Sequence, residues 1–138
     1  MDDKINFRSF NEKDYKTACD WWKWWWNGNV VGEEFLPTHG DGGYIVEKNN
    51  IPIACGFTHR SSNSKLVFLS WVVSNPHYKN KDRRSLIEFL INSIEKQCKK
   101  LGYNYLFTVC NSEHLANIHK DLNWHSTKKT SYEIFKIV

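Results

Sequence analysis

The sequence lacks a long apolar run, and it is poor in proline and methionine, with 3 and 1 residues respectively. A membrane-spanning helix needs about 18 or more consecutive apolar residues, and the chain has no such segment. Its first residues, MDDKINFRSF, also lack the apolar stretch of a secretory signal. We therefore expect a soluble, cytoplasmic protein without a membrane partner.

Closely spaced cysteines are also missing, because Cys19, Cys55, Cys98 and Cys110 lie far apart and form no CxxC pair. This spacing argues against a zinc site and a disulfide framework, so we expect reduced, mostly buried thiols and no metal. No GxSxG or GxxxxGK[ST] motif supports a hydrolase or a nucleotide triphosphatase. The net charge of +4 favours an anionic ligand weakly, and nucleic acid is the least favoured partner.

With 138 residues and 41% hydrophobic content, the chain is long enough to bury a core and too short for two domains. We expect one domain over residues 1–138. No internal repeat or low-complexity segment contradicts this.

The first part of the chain predicts a strand and then a helix rich in tryptophan. Residues 4–10 alternate apolar and polar positions, and Asn11 with Asp14 marks a helix start. The apolar positions at helical spacing, which we expect to face the core, are Tyr15, Ala18, Cys19, Trp22, Trp25 and Trp26. Trp21 and Trp24 fall on the other face, where they would line a pocket or mark an interface.

A long glycine-containing connection, residues 30–43, precedes three strands. Two of them, YIVEK and IPIACGFTHR, are joined at Asn49-Asn50, and KLVFLSWVVSN follows the polar turn SSNSK. The pattern predicts an antiparallel meander.

The period then changes to that of a helix after the basic turn NPHYKNKDRR. The predicted buried stripe of this helix is Leu86, Phe89, Leu90, Ile94, Cys98 and Leu101, and the helix should end at Gly102. YNYLFTVCN predicts a strand, Leu115, Ile118 and Leu122 predict a short helix, and SYEIFKIV predicts a last strand. The order is β-α-(α)-β-β-β-α-β-α-β, an α/β fold with one mixed sheet.

The basic turn has two interpretations. Lys79, Lys81, Arg83 and Arg84 adjoin a helix start, where unpaired N–H groups and the helix dipole favour a phosphate. Alternatively, Asp82 caps the helix and the cations form a solvated surface.

Three stretches carry a resemblance to a known family. In order and spacing they resemble GNAT acetyl-CoA-dependent N-acyltransferases. The family's strand, phosphate loop and helix correspond to SWVVSNPHYKNKDRRSLIEFL. Its next strand corresponds to YNYLFTVCN, and its last helix to NSEHLANIHKDLNW. The chain looks most like the short, stand-alone members encoded by bacteriophages. The resemblance implies a GNAT-like fold with acetyl-CoA as co-substrate.

The resemblance also implies roles for individual residues. The family's loop pattern, a cation followed by two small residues, falls on Lys79, Asp82 and Arg84, so both small positions are replaced. Val72 and Val73 would contact the pantetheine arm and Asn111 the coenzyme. The implied pyrophosphate loop is Lys79, Asn80, Lys81, Asp82, Arg83, Arg84 and Ser85.

His119 stands where the family often has a tyrosine general acid, and it could protonate the departing thiolate or accept a proton from the amine. Asn123 takes the family's glycine position at the helix end, and Trp124 follows as a buried anchor. Further candidates for the general base are Glu33, Glu34, His39 and Asp41. The implied acceptor pocket is formed by Trp22, Trp25, Trp26, Glu33, Glu34 and Ser70.

We therefore interpret the chain as an N-acetyltransferase that moves an acetyl group from acetyl-CoA to a primary amine of a small molecule or protein, by direct attack. The alternative is a catalytically inactive GNAT-fold module that binds another protein, for example one of a phage host. The sequence leaves a homodimer open.

Overall fold

The structure, a computed structural model, describes residues 2–37, 41–127 and 132–138. It divides into two compact units, Met1–Thr108 and Val109–Val138. The expectation of one domain stays a prediction. None of the helices in the described part of the chain is long and apolar enough to cross a membrane.

The first unit is built on a mixed sheet of five strands in the order β1-β2-β3-β4-β5. Its elements are β1 (Ile5–Ser9), α1 (Tyr15–Trp25), β2 (Gly43–Lys48), β3 (Ile51–Arg60), β4 (Leu66–Ser74), α2 (Arg83–Lys100) and β5 (Tyr105–Thr108). Neighbouring strands are antiparallel from β1 to β4, and β5 is parallel to β4 through the α2 crossover. The predicted mixed sheet is therefore confirmed, with its meander and crossover helix.

The two helices cover opposite faces of the sheet. Cys55 and Phe57 of β3 belong to the buried cluster that contains α1. A Cβ added to Gly56, between them, would instead lie 3.4 Å from Ile94 of α2. Successive strand residues point to opposite faces, so α1 and α2 lie on different sides.

The β2–β3 hairpin turns at the predicted residues. Asn49 and Asn50 have φ values of 52° and 66°, the left-handed pair that a type I′ turn requires and that asparagine tolerates well. The turn fixes the register of the hairpin, which places Lys48 opposite Ile51.

The start of the first helical segment is fixed by a capping box and an ion-pair network. Asn11 accepts a hydrogen bond from Lys13 N–H, and Asp14 accepts one from Asn11 N–H. Asp14 also receives two bonds from the Arg8 guanidinium, at 2.8 and 2.9 Å, and Arg8 reaches Glu47 of β2 at 3.0 Å. Burial opposes ionisation of Asp14, but these bonds outweigh it and lower its pKa.

The tryptophans of α1 do not all lie where periodicity predicted. Trp22 is fully buried and contacts Phe57, with ring centroids 5.9 Å apart. Trp21, predicted to be exposed, is buried with 4% exposure, whereas Trp25, predicted to be in the core, is 45% exposed. Trp25 is the last residue of the helix, and its indole N–H reaches the carbonyl of Ser74 at the end of β4 instead. Trp24 is exposed as predicted.

Helix α2 buries a face slightly rotated from the predicted stripe. Ile87 and Ile91 are buried, but Phe89 and Leu101 are exposed, so the prediction was wrong for those two. The helix lies across β2 and β3, and this contact centres its buried face on Leu90 and Ile94. Gly102 follows the helix with a φ of 93°, as a C-terminal glycine should.

The second unit contains α3 (Glu113–Asp121), capped by Ser112, whose Oγ accepts from Leu115 N–H at 3.1 Å. Asn123 has a φ of 70°, which confirms the predicted left-handed residue after this helix. The predicted last strand is wrong for residues 132–138, which have no regular structure and whose large apolar side chains are at least 80% exposed. A strand needs a partner edge, and the only regular element described in this unit is a helix; Ser131 lies outside the described residues.

Candidate active site

The candidate site begins where β4 and β5 separate. Their parallel pairing ends at Leu69 and Thr108, and Thr108 Oγ1 donates to the Leu69 carbonyl at 2.7 Å. Strand β4 continues from there to Ser74, and this stretch pairs with no strand of the described residues on its β5 side. An unpaired strand edge presents backbone N–H and C=O groups to a ligand.

A β-bulge lies within this stretch, on the edge of β4 that pairs with β3. Cys55 pairs with Val73 and Phe57 with Ser70, so Gly56 alone stands opposite two residues, Trp71 and Val72. Trp71 has a φ of 52°, which is strained for a bulky side chain. A bulge bends the strand and turns backbone groups to new directions, which is why bulges are common beside functional sites. The predicted contacts Val72 and Val73 lie at this bulge and just beyond it.

Asp82 does not cap α2 with its side chain, because the carboxylate makes no bond to the helix N-terminal amides. It is instead held by Lys48 Nζ at the end of β2 and by the Tyr78 hydroxyl, whose oxygen lies 2.7 Å away. The bonds from Lys48 and Tyr78 lower the pKa of Asp82, so it stays an anion at neutral pH. Lys48 also pairs with Asp3 at 3.3 Å, so two carboxylates share this ammonium group.

The cations of the turn differ in their partners. Arg84 pairs with Glu88 one helical turn away, at 3.2 Å. Lys79 and Lys81 are exposed and make no ion pair among residues 2–37, 41–127 and 132–138. Arg83 likewise has no carboxylate partner in that part of the chain, although it is half-buried.

Arg83 is nevertheless held in one orientation. Its Nη2 donates to Ser74 Oγ at 2.8 Å, and its guanidinium carbon lies 5.0 Å from the centre of the Trp25 ring. Burial lowers its pKa, but arginine remains protonated at any physiological pH. The exposed Trp25 therefore positions a cation at the open end of β4.

Backbone donors adjoin these cations. The N–H groups of Lys79, Asn80, Lys81 and Ser85 meet no acceptor among the described residues. Because α2 begins at Arg83, the Ser85 donor lies in the first turn, where the helix dipole adds positive potential. The predicted phosphate loop thus has free donors and uncompensated positive charge.

A cleft of about 330 Å³ opens on the same unit, lined by Pro37, Asp41, Thr58, His59 and Arg60. Arg60 donates to Asp41 at 2.9 Å and to the Tyr44 hydroxyl at 3.1 Å. Beside the cleft, the Trp71 ring stands 5.4 Å from His59 and 6.2 Å from Phe35.

Sequence reasoning missed His59, Arg60 and Phe35. Strand alternation places His59 on the face of Cys55 and Phe57, and this was the signal that could have found it.

The predicted acceptor-pocket residues lie in different environments. Glu33 and Glu34 are exposed on a short 3-10 turn, Glu33–Phe35. Ser70 is buried, with 5% exposure, next to the bulge. Trp22 is inside the core. Trp26 is partly buried, and its ring stacks on that of Trp22 with the centroids 5.9 Å apart. His39 lies outside the described residues.

In the second unit, His119 is 3% exposed. Its Nδ1 lies 2.8 Å from the Leu115 carbonyl and 3.7 Å from Cys110 Sγ, and Trp124 stands perpendicular to the ring at 4.8 Å. A carbonyl only accepts, so Nδ1 carries the proton. Burial lowers the pKa of His119 despite the Leu115 bond. The ring is therefore neutral, and its buried Nε2 has no partner in the described residues.

Asn111 is exposed immediately before Ser112, the residue that caps α3. Among the described residues, no group of three or more His, Cys, Asp or Glu side chains is placed to hold a metal ion.

No family model matches the chain, and no curated protein matches it either. Solved structures share its fold. An aminoglycoside N-acetyltransferase, AAC(6')-Iy, in complex with coenzyme A superposes with a TM-score of 0.69 and 16% identity over 99% of this chain and 98% of that one. An aminoglycoside acetyltransferase from an uncultured soil metagenomic sample, in complex with sisomicin, superposes with a TM-score of 0.68 and 7% identity. That match covers 99% of this chain and 97% of the other.

N-acetylglutamate synthase from Neisseria gonorrhoeae, complexed with coenzyme A and N-acetyl-glutamate, gives a TM-score of 0.68 at 12% identity. The match covers 85% of this chain but spans only 28% of the synthase. At these identities the likeness establishes the fold, which is that of the GNAT acetyltransferases.

Proposed function

We propose that this protein is an N-acetyltransferase that transfers the acetyl group of acetyl-CoA to a primary amine by direct attack. The observation that carries the proposal is the open, bulged end of β4 beside Arg83 at the start of α2, whose guanidinium is held by Ser74 and Trp25 and has no carboxylate partner among the described residues. Neighbours of the same fold are complexed with coenzyme A.

The chain's own groups provide the coenzyme contacts. The backbone at Val72 and Val73 adds hydrogen bonds to the pantetheine arm along the open edge. Arg83, Lys79 and Lys81 neutralise the pyrophosphate, and the free N–H groups of Asn80 and Ser85 bind its oxygens. Arg84 adds less because Glu88 already pairs with it, and Asp82 orders the loop through Lys48. The resemblance also implies a coenzyme contact for Asn111, which belongs to the second unit.

His119 exchanges a proton through Nε2. Of the two roles that the sequence left open, its neutral form with the proton on Nδ1 favours accepting a proton from the amine that has attacked the thioester. The same proton can then pass to the departing thiolate, which leaves His119 neutral again.

The acceptor pocket is formed by Ser70 and the aromatic residues around it, with Trp25 and Trp26 on α1 and the carboxylates of Glu33 and Glu34. Exposed carboxylates favour a cationic acceptor. Neighbours of this fold are complexed with an aminoglycoside and with an acetylated amino acid, and we infer a small amine with more than one positive charge.

The first test is thermal unfolding of the purified protein with and without millimolar acetyl-CoA. Ligand at a hundred times its dissociation constant adds about 2.7 kcal/mol to the free energy of unfolding. For a chain of this length we expect Tm to rise by several degrees. Release of coenzyme A with a panel of amines then reports transfer.

The matched pair Arg83→Gln and Arg84→Gln identifies the phosphate contact. A charge-assisted hydrogen bond contributes about 1.5–3 kcal/mol, so we expect Arg83→Gln to raise the Kd for acetyl-CoA by roughly 10- to 100-fold. Arg84→Gln removes a cation that is already paired at the surface and should change the Kd by less than about fivefold. No binding by the wild-type protein would contradict the proposed enzyme and favour the catalytically inactive binding module.

A further inference from the structure

A continuous chain of hydrogen bonds joins β4, β3 and the connection before β2. Ser70 Oγ lies 3.1 Å from His59 Nδ1, and His59 Nε2 lies 2.7 Å from the carbonyl oxygen of Phe35. A carbonyl oxygen only accepts, so Nε2 carries a proton. In the neutral ring Nδ1 is then an acceptor, and the Ser70 hydroxyl donates to it. The backbone of Phe35 thus fixes the tautomer of His59.

These hydrogen bonds lie at the proposed reaction centre. Ser70 is the last residue of β4 that pairs with β3 before the bulge at Trp71. His59 lines the solvent-accessible cleft, whereas Ser70 is 5% exposed. A buried hydroxyl is therefore connected, through one imidazole, to a cleft that opens to water.

Acetylation of a primary amine at neutral pH removes two protons from its nitrogen, and a histidine that passes one proton to the thiolate accounts for only one of them. With a pKa of about 10.4 for a lysine-like amine, roughly one molecule in a few thousand is uncharged at neutral pH. The ammonium must lose one proton before it can attack and a second after the C–N bond forms. One proton ends on the coenzyme A thiol, and the other must leave for solvent.

The geometry points to Ser70 and His59 as the proton relay that removes the first of these protons. This inference rests on the proposed acetyl transfer. Ser70 Oγ takes a proton from the ammonium while its own proton passes to His59 Nδ1, which becomes an imidazolium. His59 keeps its Nε2 proton on the Phe35 carbonyl. When the Ser70 hydroxyl rotates away, the Nδ1 proton passes to water in the cleft, which restores the resting tautomer, and the free amine attacks the thioester carbonyl. The second proton ends on the thiolate of coenzyme A.

The other acidic and basic groups of this face are less suited to that step. Arg60 and Asp41 pair with each other at 2.9 Å, and arginine cannot act as a base at neutral pH. Glu33 and Glu34 are exposed on their 3-10 turn, where water solvates them. Among the described histidines, His59 alone is held by hydrogen bonds on both ring nitrogens.

The test compares two acceptor probes that differ in their protonation. Spermidine is protonated at neutral pH and needs the relay, whereas hydroxylamine is uncharged there and does not. Coenzyme A release is measured for the wild type, His59→Asn, Ser70→Ala and Ser70→Thr. Asn places an amide where Nδ1 stands, so it can keep the bond to Ser70 but cannot take the proton. His125→Asn, at an exposed histidine to which no role is assigned, is the control.

General acid–base catalysis contributes typically 10²- to 10⁴-fold. We expect His59→Asn and Ser70→Ala to lower kcat with spermidine by about 100-fold or more, with the Kd for acetyl-CoA unchanged. With hydroxylamine the same variants should stay within about tenfold of the wild type. Ser70→Thr keeps the hydroxyl and should retain most of the spermidine activity, and His125→Asn should match the wild type.

Equal losses with both probes would overturn the relay, because that result indicates a structural role. Unchanged spermidine turnover in both variants would overturn it as well, and so would an acetyl group found on Ser70 in the quenched protein. Acetyl-CoA binding without transfer to either probe also counts against it. If the wild type binds no acetyl-CoA, the proposed function itself fails, and this outcome is separate from the others.

Discussion

Gly56→Ala tests the bulge on which the proposed coenzyme site depends. A Cβ at this position would lie 3.1 Å from Val72 Cγ2, 3.4 Å from Ile94 Cδ1 and 3.6 Å from Leu69 Cδ1. Unstrained carbon contacts are about 3.5–4.0 Å apart. The first contact is therefore too short by several tenths of an ångström, and valine has little rotamer freedom with which to yield.

The cost follows from this crowding. Overpacking a core by one methyl group costs about 1–3 kcal/mol, which for a chain of this length lowers Tm by roughly 4 °C per kcal/mol. Because Val72 must move, the backbone of the bulge moves with it. We expect Gly56→Ala to bind acetyl-CoA about tenfold more weakly as well, measured by calorimetry below the new Tm.

Gly32→Ala is the matched control. Its Cβ would meet only Phe35 ring carbons at 3.6 and 3.7 Å, and its φ of −63° suits any residue. Removing glycine at such a position stabilises by about 0.4–1 kcal/mol. A Gly56→Ala protein with wild-type Tm and acetyl-CoA affinity would refute the described packing of the bulge.

Three further changes have defined outcomes. Lys48→Met removes the largest cause of the lowered pKa of Asp82. A carboxyl group whose pKa is lowered in the folded protein stabilises the fold above its unfolded pKa, and this stabilisation is lost as pH falls through the folded pKa. The urea midpoint of the variant should therefore depend less on pH in the acid range than that of the wild type. Asn50→Gly completes an Asn-Gly type I′ turn and should raise Tm slightly, since glycine adopts a φ of 66° without strain. Burial lowers the pKa of His119, so the wild type should lose stability as pH falls below about 6.5, and His119→Asn, followed by urea unfolding, should lose less.

The parts of the fold that sequence reasoning predicted are those that depend on local signals. Asn49-Asn50 sets a hairpin wherever it stands between two apolar strands, and Gly102 ends a helix without help from distant residues. The exposure of Trp21 and Trp25 depended instead on distant parts of the chain, such as the Ser74 carbonyl to which the Trp25 indole donates. Periodicity gives the angle of a side chain around a helix but not what lies opposite it.

In the candidate site, too, the features set by neighbouring residues were predicted, and those set by distant residues were missed. The basic turn was visible because its residues are consecutive, and the resemblance placed Val72 and Val73 at the end of β4. The bond between His59 and Ser70 depends on the register of two strands, and a bulge shifts that register beside Gly56. The failed last strand, SYEIFKIV, has the alternation of a strand, but pairing is a property of two segments and cannot be seen in one.

The proposed phosphate loop is the point at which the sequence and the family pattern disagree most, and charge pairing is the reason we expect it to bind an anion nevertheless. An aspartate in place of a glycine would repel a phosphate if its carboxylate faced the helix start. In this protein Lys48 and Tyr78 bind that carboxylate, so the substitution adds a link between the hairpin and the loop. Arg83, Lys79 and Lys81 remain without acidic partners in the described part of the chain, and they exceed the two charges of a pyrophosphate. Lys48→Met should therefore weaken acetyl-CoA binding although Lys48 is not among the proposed coenzyme contacts. The double variant with Asp82→Asn removes the carboxylate left without Lys48 but does not rebuild the link, so it should regain the part of the affinity that was lost to charge. A double variant no better than Lys48→Met would show that the lost link, and not the charge of Asp82, weakens binding.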